Sequence, residues 1–430
     1  MMRTAVAGLL IAMAAMAAPT AVTFNKDVLP ILQKHCQSCH RPGEVAPMSF
    51  LSFQEARPWA KAMKAAVLTQ KMPPWFADPR YGHFANERKL TGAEIGTLAA
   101  WADNGAPEGN AKDRPAPVEF VEGWEIGKPD IVFEMPNEFH VPAQGTIDYQ
   151  YILVKTNFKQ DVWVQAAEVR PGNRAVVHHM RAIVRPPGSP FMNGVEPGIP
   201  TTEPRGPGLN LASGAGSGET DADILAKYNP GVEPQGFTGG AKFIPAGSDL
   251  VFDIHYTANG KAATDKSRIG IVLAKAPPQR RVFTSQALTN RQFVIPPGDG
   301  NVEVRAEVRV EEPVELVWLQ PHMHLRGKDF QFRVVYPTGE SEILLNVPRY
   351  DFNWQVGYDL AKPLLLPKGT VLESISHFDN SPNNLSNPDP KAEVRFGPQS
   401  WDEMSTGFFS VVVDAKADTA KLFRLLPLKH

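Results

Sequence analysis

Cysteine is nearly missing from this sequence. Cys36 and Cys39 are the only two in 430 residues. A disulfide framework is therefore excluded, and burial rather than cross-linking must hold the fold. An excess of charge of one sign is also missing: 44 basic against 46 acidic side chains give a formal net charge of -2. Nucleic-acid binders show a basic face, so no nucleic-acid partner is expected. Long apolar runs are absent beyond the first residues, and no stable membrane insertion is expected. What is present is informative. Hydrophobic residues make up 43%, enough for packed cores. The 40 prolines and 34 glycines, against 21% charged residues, fit a loop-rich β protein better than a helical one. The length suits about two to four domains.

Met1–Ala17 carries one positive charge, Arg3, then the apolar run AVAGLLIAMAAMA and an A-x-A site at Ala15-Met16-Ala17. This pattern predicts a secretory signal cleaved before Ala18, with a retained anchor as the alternative, and hence a periplasmic or secreted protein. Residues 24–110 read as helical. Asn25 is expected to cap KDVLPILQKHC. ARPWAKAMKAAVLTQ has helical apolar spacing. Thr91 and Glu94 form an expected capping box on TGAEIGTLAAWADNG, which Gly105 stops. Residues 111–118 fall in a Pro/Gly/Ala linker. Beyond it, short β-rich runs such as AVVHHMRAIVR, SDLVFDIHYT and VELVWLQPHMHL are separated by Gly, Pro, Asn and Asp, the pattern of β-sandwiches. The stretch 186–245 reads as a surface loop, and residues 276–284 as a break between two sandwiches.

Cys36-Gln37-Ser38-Cys39-His40 is C-x-x-C-H, the attachment pattern of a covalent c-type haem. Both thiols bond the haem and the adjacent His ligates iron. A zinc site would need further ligands, and the chain has no other cysteine. A redox disulfide would want a βαβ context. Candidates for the second axial ligand are Met48, Met63 and Met72. Met72 lies in Lys71-Met72-Pro73-Pro74-Trp75, where the prolines hold an extended loop. Met63 sits in a helical run and suits a core, and His35 suits a surface. The segment resembles a class I-like cytochrome c domain in its order: C-x-x-C-H after a first helix, a Met loop, a closing helix. That resemblance makes 24–110 one haem domain with Met72 axial. A Met/His pair suits electron transfer.

Five further histidines fall in three strand-like contexts: His178-His179, His255, and His322-Met323-His324. Positions i and i+2 of a strand share a face, so His322 and His324 can converge. Adjacent His178 and His179 can converge only at a bulge or a strand-end turn. Here the chain resembles the copper type II, ascorbate-dependent monooxygenases, the peptidylglycine α-hydroxylating and dopamine β-monooxygenase group. The motifs occur in order: AVVHHMRAIV, PAGSDLVFDIHY, LQPHMHLRGKDF and SWDEMSTGFF. The resemblance implies an electron-transfer copper on His178, His179 and His255. It implies a second copper on His322, His324 and Met404, where oxygen binds and substrate is hydroxylated. It also implies two jelly-roll-like sandwiches, 119–280 and 281–430, facing across a solvent-filled cleft. The expected whole is multidomain, a small all-α cytochrome c domain followed by two all-β sandwiches. Its cofactors would be one covalent haem c and two copper ions. Its partners would be a small organic or peptide-like substrate, O2 and a periplasmic electron donor.

Some positions depart from the family. The peptide-amidating members carry an Arg two residues before the H-x-H, where this chain has Gln320. Their Asn and Tyr after the ligand Met are here Thr406 and Phe408. A peptide carboxylate is therefore expected to lack its charge partners, and Arg326 and Lys328 lie too far along to replace them. The cluster His377-Phe378-Asp379-Asn380 reads as a strand-end turn, with a place supporting the metal ligands as the alternative. Two other readings of the whole remain: a non-catalytic haem/copper electron-transfer protein, and a dehydrogenase passing electrons to the haem.

Overall fold

The computed structural model describes residues 21–202, 223–230, 237 and 239–427. The expected signal segment, Met1–Ala17, lies outside them. The chain divides into two compact units. One holds the described residues up to Arg41, with Met48–Pro73 and Leu90–Val118; the other holds Pro42–Pro47, Pro74–Lys89 and the chain from Glu119 on. The block 24–110 is thus not contiguous in this division. Residues 74–89 belong with the β unit because Trp75 packs edge-on to Tyr358, Phe84 bridges Leu360, and the Asp78 amide donates to Asn346 O at 2.8 Å.

The first unit is helical. Leu29–His35, Phe53–Ala56, Ala60–Leu68 and Gly92–Asp103 are its α-helices. They enclose Phe24, Leu32, Met63, Leu98 and Trp101. Thr91 and Glu94 form the expected capping box, and Gly105 adopts φ 82° just past the helix end. The first helix corrects the expected cap. A π-helical turn, Phe24–Val28, precedes it, and Asn25 is buried inside that turn. Thr23 is the cap residue, its amide donating to Asp27 Oδ2 at 2.8 Å. Pro58 splits the second helical run into an α-turn, a 3-10 turn and a helix.

The second unit is built of sheets in sandwich-like pairs, and every pairing between strands is antiparallel. In the first pair, one sheet runs Gln150–Lys155, Asp249–Tyr256, Val177–Arg185, Ile224–Tyr228. It faces Ile131–Glu134, Arg268–Leu273, Val162–Arg170 and Lys242–Ile244 across a core that includes Val164, Phe252 and Ile254. In the second pair, one sheet runs Arg280–Asn290, Ser405–Asp414, Val314–His322, Tyr358–Leu366. It covers a five-stranded sheet over Leu288, Phe330, Phe332 and Val411. The stretch 186–245 is not all loop: Ile224–Tyr228 and Lys242–Ile244 are strands within it. The segment expected as a break opens into the eleven-residue strand Arg280–Asn290. Among the described residues no helix is long and apolar enough to cross a membrane.

Asp249–Tyr256 is buried at every position. Leu250, Phe252 and Ile254 enter the core of their own sandwich. Val251 joins a separate cluster with Tyr151, Ile183, Trp318 and Phe408. That cluster contains side chains from both sheet pairs, so it zips them together.

Candidate metal centre

His179 pairs directly opposite His255, and the register slips between Val177 and His179. His178 occupies that bulge, the local distortion two adjacent ligands need to face one point. The three rings form a near-equilateral triangle with centroids 5.3, 5.2 and 5.2 Å apart, and their candidate ligand atoms lie within 4.8 Å of one another. Two of the three outer nitrogens are engaged, while His178 Nε2 is buried without a partner. His179 Nε2 lies 2.9 Å from the Tyr149 hydroxyl, and His255 Nε2 lies 3.2 Å from the Ser400 hydroxyl. The inner Nδ1 atoms remain. Those of His178 and His179 are 3.1 Å apart, and that of His255 is buried without a partner. Two nitrogens each about 2.0–2.1 Å from one ion stand roughly 3.3 Å apart. This buried group can hold a metal ion.

Burial also sets the protonation. It pushes His178 down to about 4, and burial with the neighbouring rings pushes His179 and His255 well below the usual imidazole value. Neutral imidazole is the ligating form. Tyr149 orients the group twice, by its hydroxyl on His179 and by stacking on His255 at 4.7 Å and 11°. Tyr149→Phe is therefore expected to weaken metal binding here by about 10–100-fold. A chelator-competition titration checks this; unchanged affinity would contradict it.

His322 ends the strand Val314–His322, and its Nδ1–H donates to Gln355 Oε1 at 2.8 Å. His324 Nδ1–H donates to Asp402 O at 3.2 Å, and its Nε2 is buried without a partner. Both rings thus turn Nε2 away from the backbone, with centroids 5.3 Å apart. His322 lies opposite Thr406 in the neighbouring strand. Carrying that register two residues further sets Met404 opposite His324. Glu403 binds the pieces: it accepts the amides of His324 at 2.8 Å, Arg326 at 2.6 Å and Met404 at 3.3 Å. In the sequence Glu403 stands one residue before Met404 with no local pattern that marks this bracing role.

Burial pushes the Glu403 carboxyl from its ordinary 4.5 up to about 8. The fold then holds a proton that the unfolded chain releases above about pH 4.5. This contribution to stability is complete below that value and drains away as pH rises toward 8. Glu403→Gln is expected to flatten this slope, read by denaturant unfolding at pH 5 and pH 8. Equal slopes in variant and wild type would contradict the assignment.

The remaining sequence candidates have internal duties. Arg326 is 1% exposed, donates to Asn380 Oδ1 and Trp401 O at 2.8 Å each, and braces the loop after His324. Asn380 follows the strand Val371–Phe378, as a strand-end turn requires. Lys328 donates to Asn301 Oδ1. Thr406 accepts from Thr289 at 3.1 Å. Lys227, distant in sequence, stands beside Gln320: its Nζ donates to Gln320 Oε1 at 2.6 Å and lies 4.0 Å from the centre of the Phe408 ring.

The two histidine groups are close neighbours. His179 and His322 have ring centroids 6.3 Å apart, and Phe352 packs against His178, His255 and His324 at 5.0, 6.1 and 6.1 Å. Tyr149, His179, Lys227, His322, Met404 and Phe408 line a cavity of about 20 Å³, room for about one water. Phe352 packs against both histidine groups, and the apolar cluster around Val251 joins the two sheet pairs.

In the helical unit, Cys36 caps the helix Leu29–His35 and is free, as is Cys39. The amides of Cys39 and His40 both donate to Cys36 O, at 3.1 and 2.9 Å, so the motif is one tight turn. Burial pushes the Cys36 thiol up to about 12 and the His40 ring below its usual value. His40 stacks on Phe50 at 4.3 Å and keeps a buried Nδ1 without a partner. Met63 lies in the helical core and Met48 packs against it, whereas Met72 is half-buried beyond Ala60–Leu68. His35 is not the surface residue expected: it pairs with Glu94 at 3.1 Å.

No protein-family model matches the chain. No curated protein matches it either. Solved structures overlap it only loosely. A structure of infectious bursal disease virus Gx strain has 10% identity, covers 68% of this chain and 74% of that one, and gives a TM-score of 0.19. The crystal structure of the infectious bursal disease virus VP2 subviral particle has 11% identity, with coverage of 69% and 75% and a TM-score of 0.19. Overlap this loose carries nothing about the site.

Proposed function

We propose that the β unit is a two-metal redox centre of the copper type II monooxygenase kind, on two jelly-roll-like sandwiches. More specifically, the protein is an exported enzyme that hydroxylates a C–H bond of an organic substrate with O2 and draws electrons through a c-type haem in the segment 24–110. One observation carries this reading: the ligand atoms of His178, His179 and His255 lie within 4.8 Å of one another, and the ring of His322 stands 6.3 Å from that of His179. Imidazole suits both copper oxidation states, and thioether sulfur favours the reduced one. His178, His179 and His255 would hold the electron-transfer ion, and His322, His324 and Met404 the oxygen-side ion. Copper bound there would supply the one-electron steps and the oxygen activation.

The chain's own residues fix everything around that chemistry. Tyr149 and Ser400 orient the first group; Gln355, the Asp402 carbonyl and Glu403 orient the second. Phe352 packs against His178, His255 and His324, and Phe408 against His322. Cys36, Cys39 and His40, two free thiols on one turn beside an imidazole with an unpartnered buried nitrogen, fit covalent haem attachment, with Met72 as the other axial ligand. The test is turnover under ¹⁸O₂ across a panel of small C–H substrates. Label in the product is expected. Haem reduction without oxygen uptake would overturn the reading in favour of a dehydrogenase.

A further inference from the structure

We infer that the segment Pro74–Lys89 is a strap that positions His322, with Asn86 as its positioning residue. The strand Tyr358–Leu366 is the outer member of the sheet that also holds Val314–His322 and Ser405–Asp414. An outer strand leaves backbone groups open, and the strap takes them up. The Ala85 amide donates to Asp359 O and the Ala361 amide to His83 O, both at 2.8 Å, with Phe84 opposite Leu360. Asn86 then continues the pairing with its side chain. Its Nδ2–H donates to Gly357 O at 2.9 Å, and its Oδ1 accepts from the Asp359 amide at 3.0 Å. A side-chain amide offers the donor and acceptor of a peptide unit, so Asn86 carries the pairing from Asp359 on to Gly357. Gly357 is closed in by Trp318 as well: a Cβ there would come within 2.6 Å of Trp318 Nε1. Trp75 and Phe84 pack against the Tyr358 ring at 4.9 and 5.3 Å. The turn from Gln355 to Gly357 is thereby fixed at its far end. At its near end the Gln355 carbonyl accepts from Gln320 and Asn229 at 2.7 and 2.9 Å. From this turn Gln355 Oε1 accepts the Nδ1–H of His322 at 2.8 Å. That bond fixes the tautomer and leaves Nε2 as the nitrogen free to ligate. Met72 precedes Trp75 by three residues. One stretch of chain would then supply the haem's methionine and brace the oxygen-side histidine; that consequence rests on the monooxygenase reading, whereas the positioning of His322 does not.

The test is hydrogen exchange by NMR on the full chain, metal-free, with its histidines labelled in ¹⁵N. The His322 Nδ1–H is expected to exchange slowly. Asn86→Ala should speed that exchange about tenfold, and Gly357→Ala, which pushes the same turn off Trp318, should do likewise. The His324 Nδ1–H, held by Asp402 O, should not change; a merely destabilised fold would speed both. Unchanged His322 exchange in either folded variant, or equal acceleration of His322 and His324, overturns the inference. If neither variant folds, the wild type decides. Protection of His322 together with the Ala85 and Ala361 amides as one cooperative unit supports the strap, and free exchange of those amides beside a protected His322 overturns it. Copper loading gives the second readout: Asn86→Ala should weaken the ion on His322, His324 and Met404 about tenfold and spare the one on His178, His179 and His255. A wild-type chain that binds no ion at the second group sinks the monooxygenase reading and leaves the exchange result standing, so the two fail separately.

Discussion

Met404→Ile is expected to abolish hydroxylation, by at least about a thousandfold or ~4 kcal/mol of barrier, while haem reduction continues and the His178/His179/His255 group keeps its metal. Ile is close to Met in volume and apolar, so the packing changes little. What is lost is the thioether, the one soft donor beside two imidazoles. The backbone at this point is fixed independently of the sulfur: Glu403 holds the Met404 amide, and Ser405–Asp414 is locked against Val314–His322. The variant should therefore unfold like wild type. The measurement is product formation beside haem reduction in the same sample; retained turnover would remove Met404 from the metal site.

His255→Ala should cost the chain one metal ion. Two imidazoles on neighbouring strand positions cannot close the site, and affinity is expected to fall by more than the roughly 100-fold that loss of an outer-shell partner costs. The substitution also leaves the Tyr149 ring without its stacking partner. The second group should be spared, because His322, His324 and Met404 are held by Gln355, Asp402 and Glu403. Metal content after gel filtration reads this directly. Loss of both metals together would mean that the two groups form a single site.

Which parts were legible follows from the range of the interactions involved. The adjacent pair His178-His179 required a bulge, and the register slips there. Strands with alternating or continuous apolar runs were visible, as was the capping box at Thr91 and Glu94, because each is a local pattern. The strand Arg280–Asn290 was not, since its polar residues, Thr284, Ser285, Gln286 and Thr289, are buried by partners distant in sequence. Ile224–Tyr228 was hidden inside a Pro/Gly-rich stretch. The residues that orient the ligands were equally hidden. Tyr149, Gln355 and Phe352 reach the histidines across 30, 33 and 174 positions of sequence. Lys227 meets Gln320 across 93.

The most direct measurement of the central claim is metal analysis of the purified full-length protein after copper loading. The account predicts about two coppers and one iron per chain, with the haem covalently attached through Cys36 and Cys39. Iron without copper, or copper bound equally well after His178, His179 and His255 are all replaced, would contradict it.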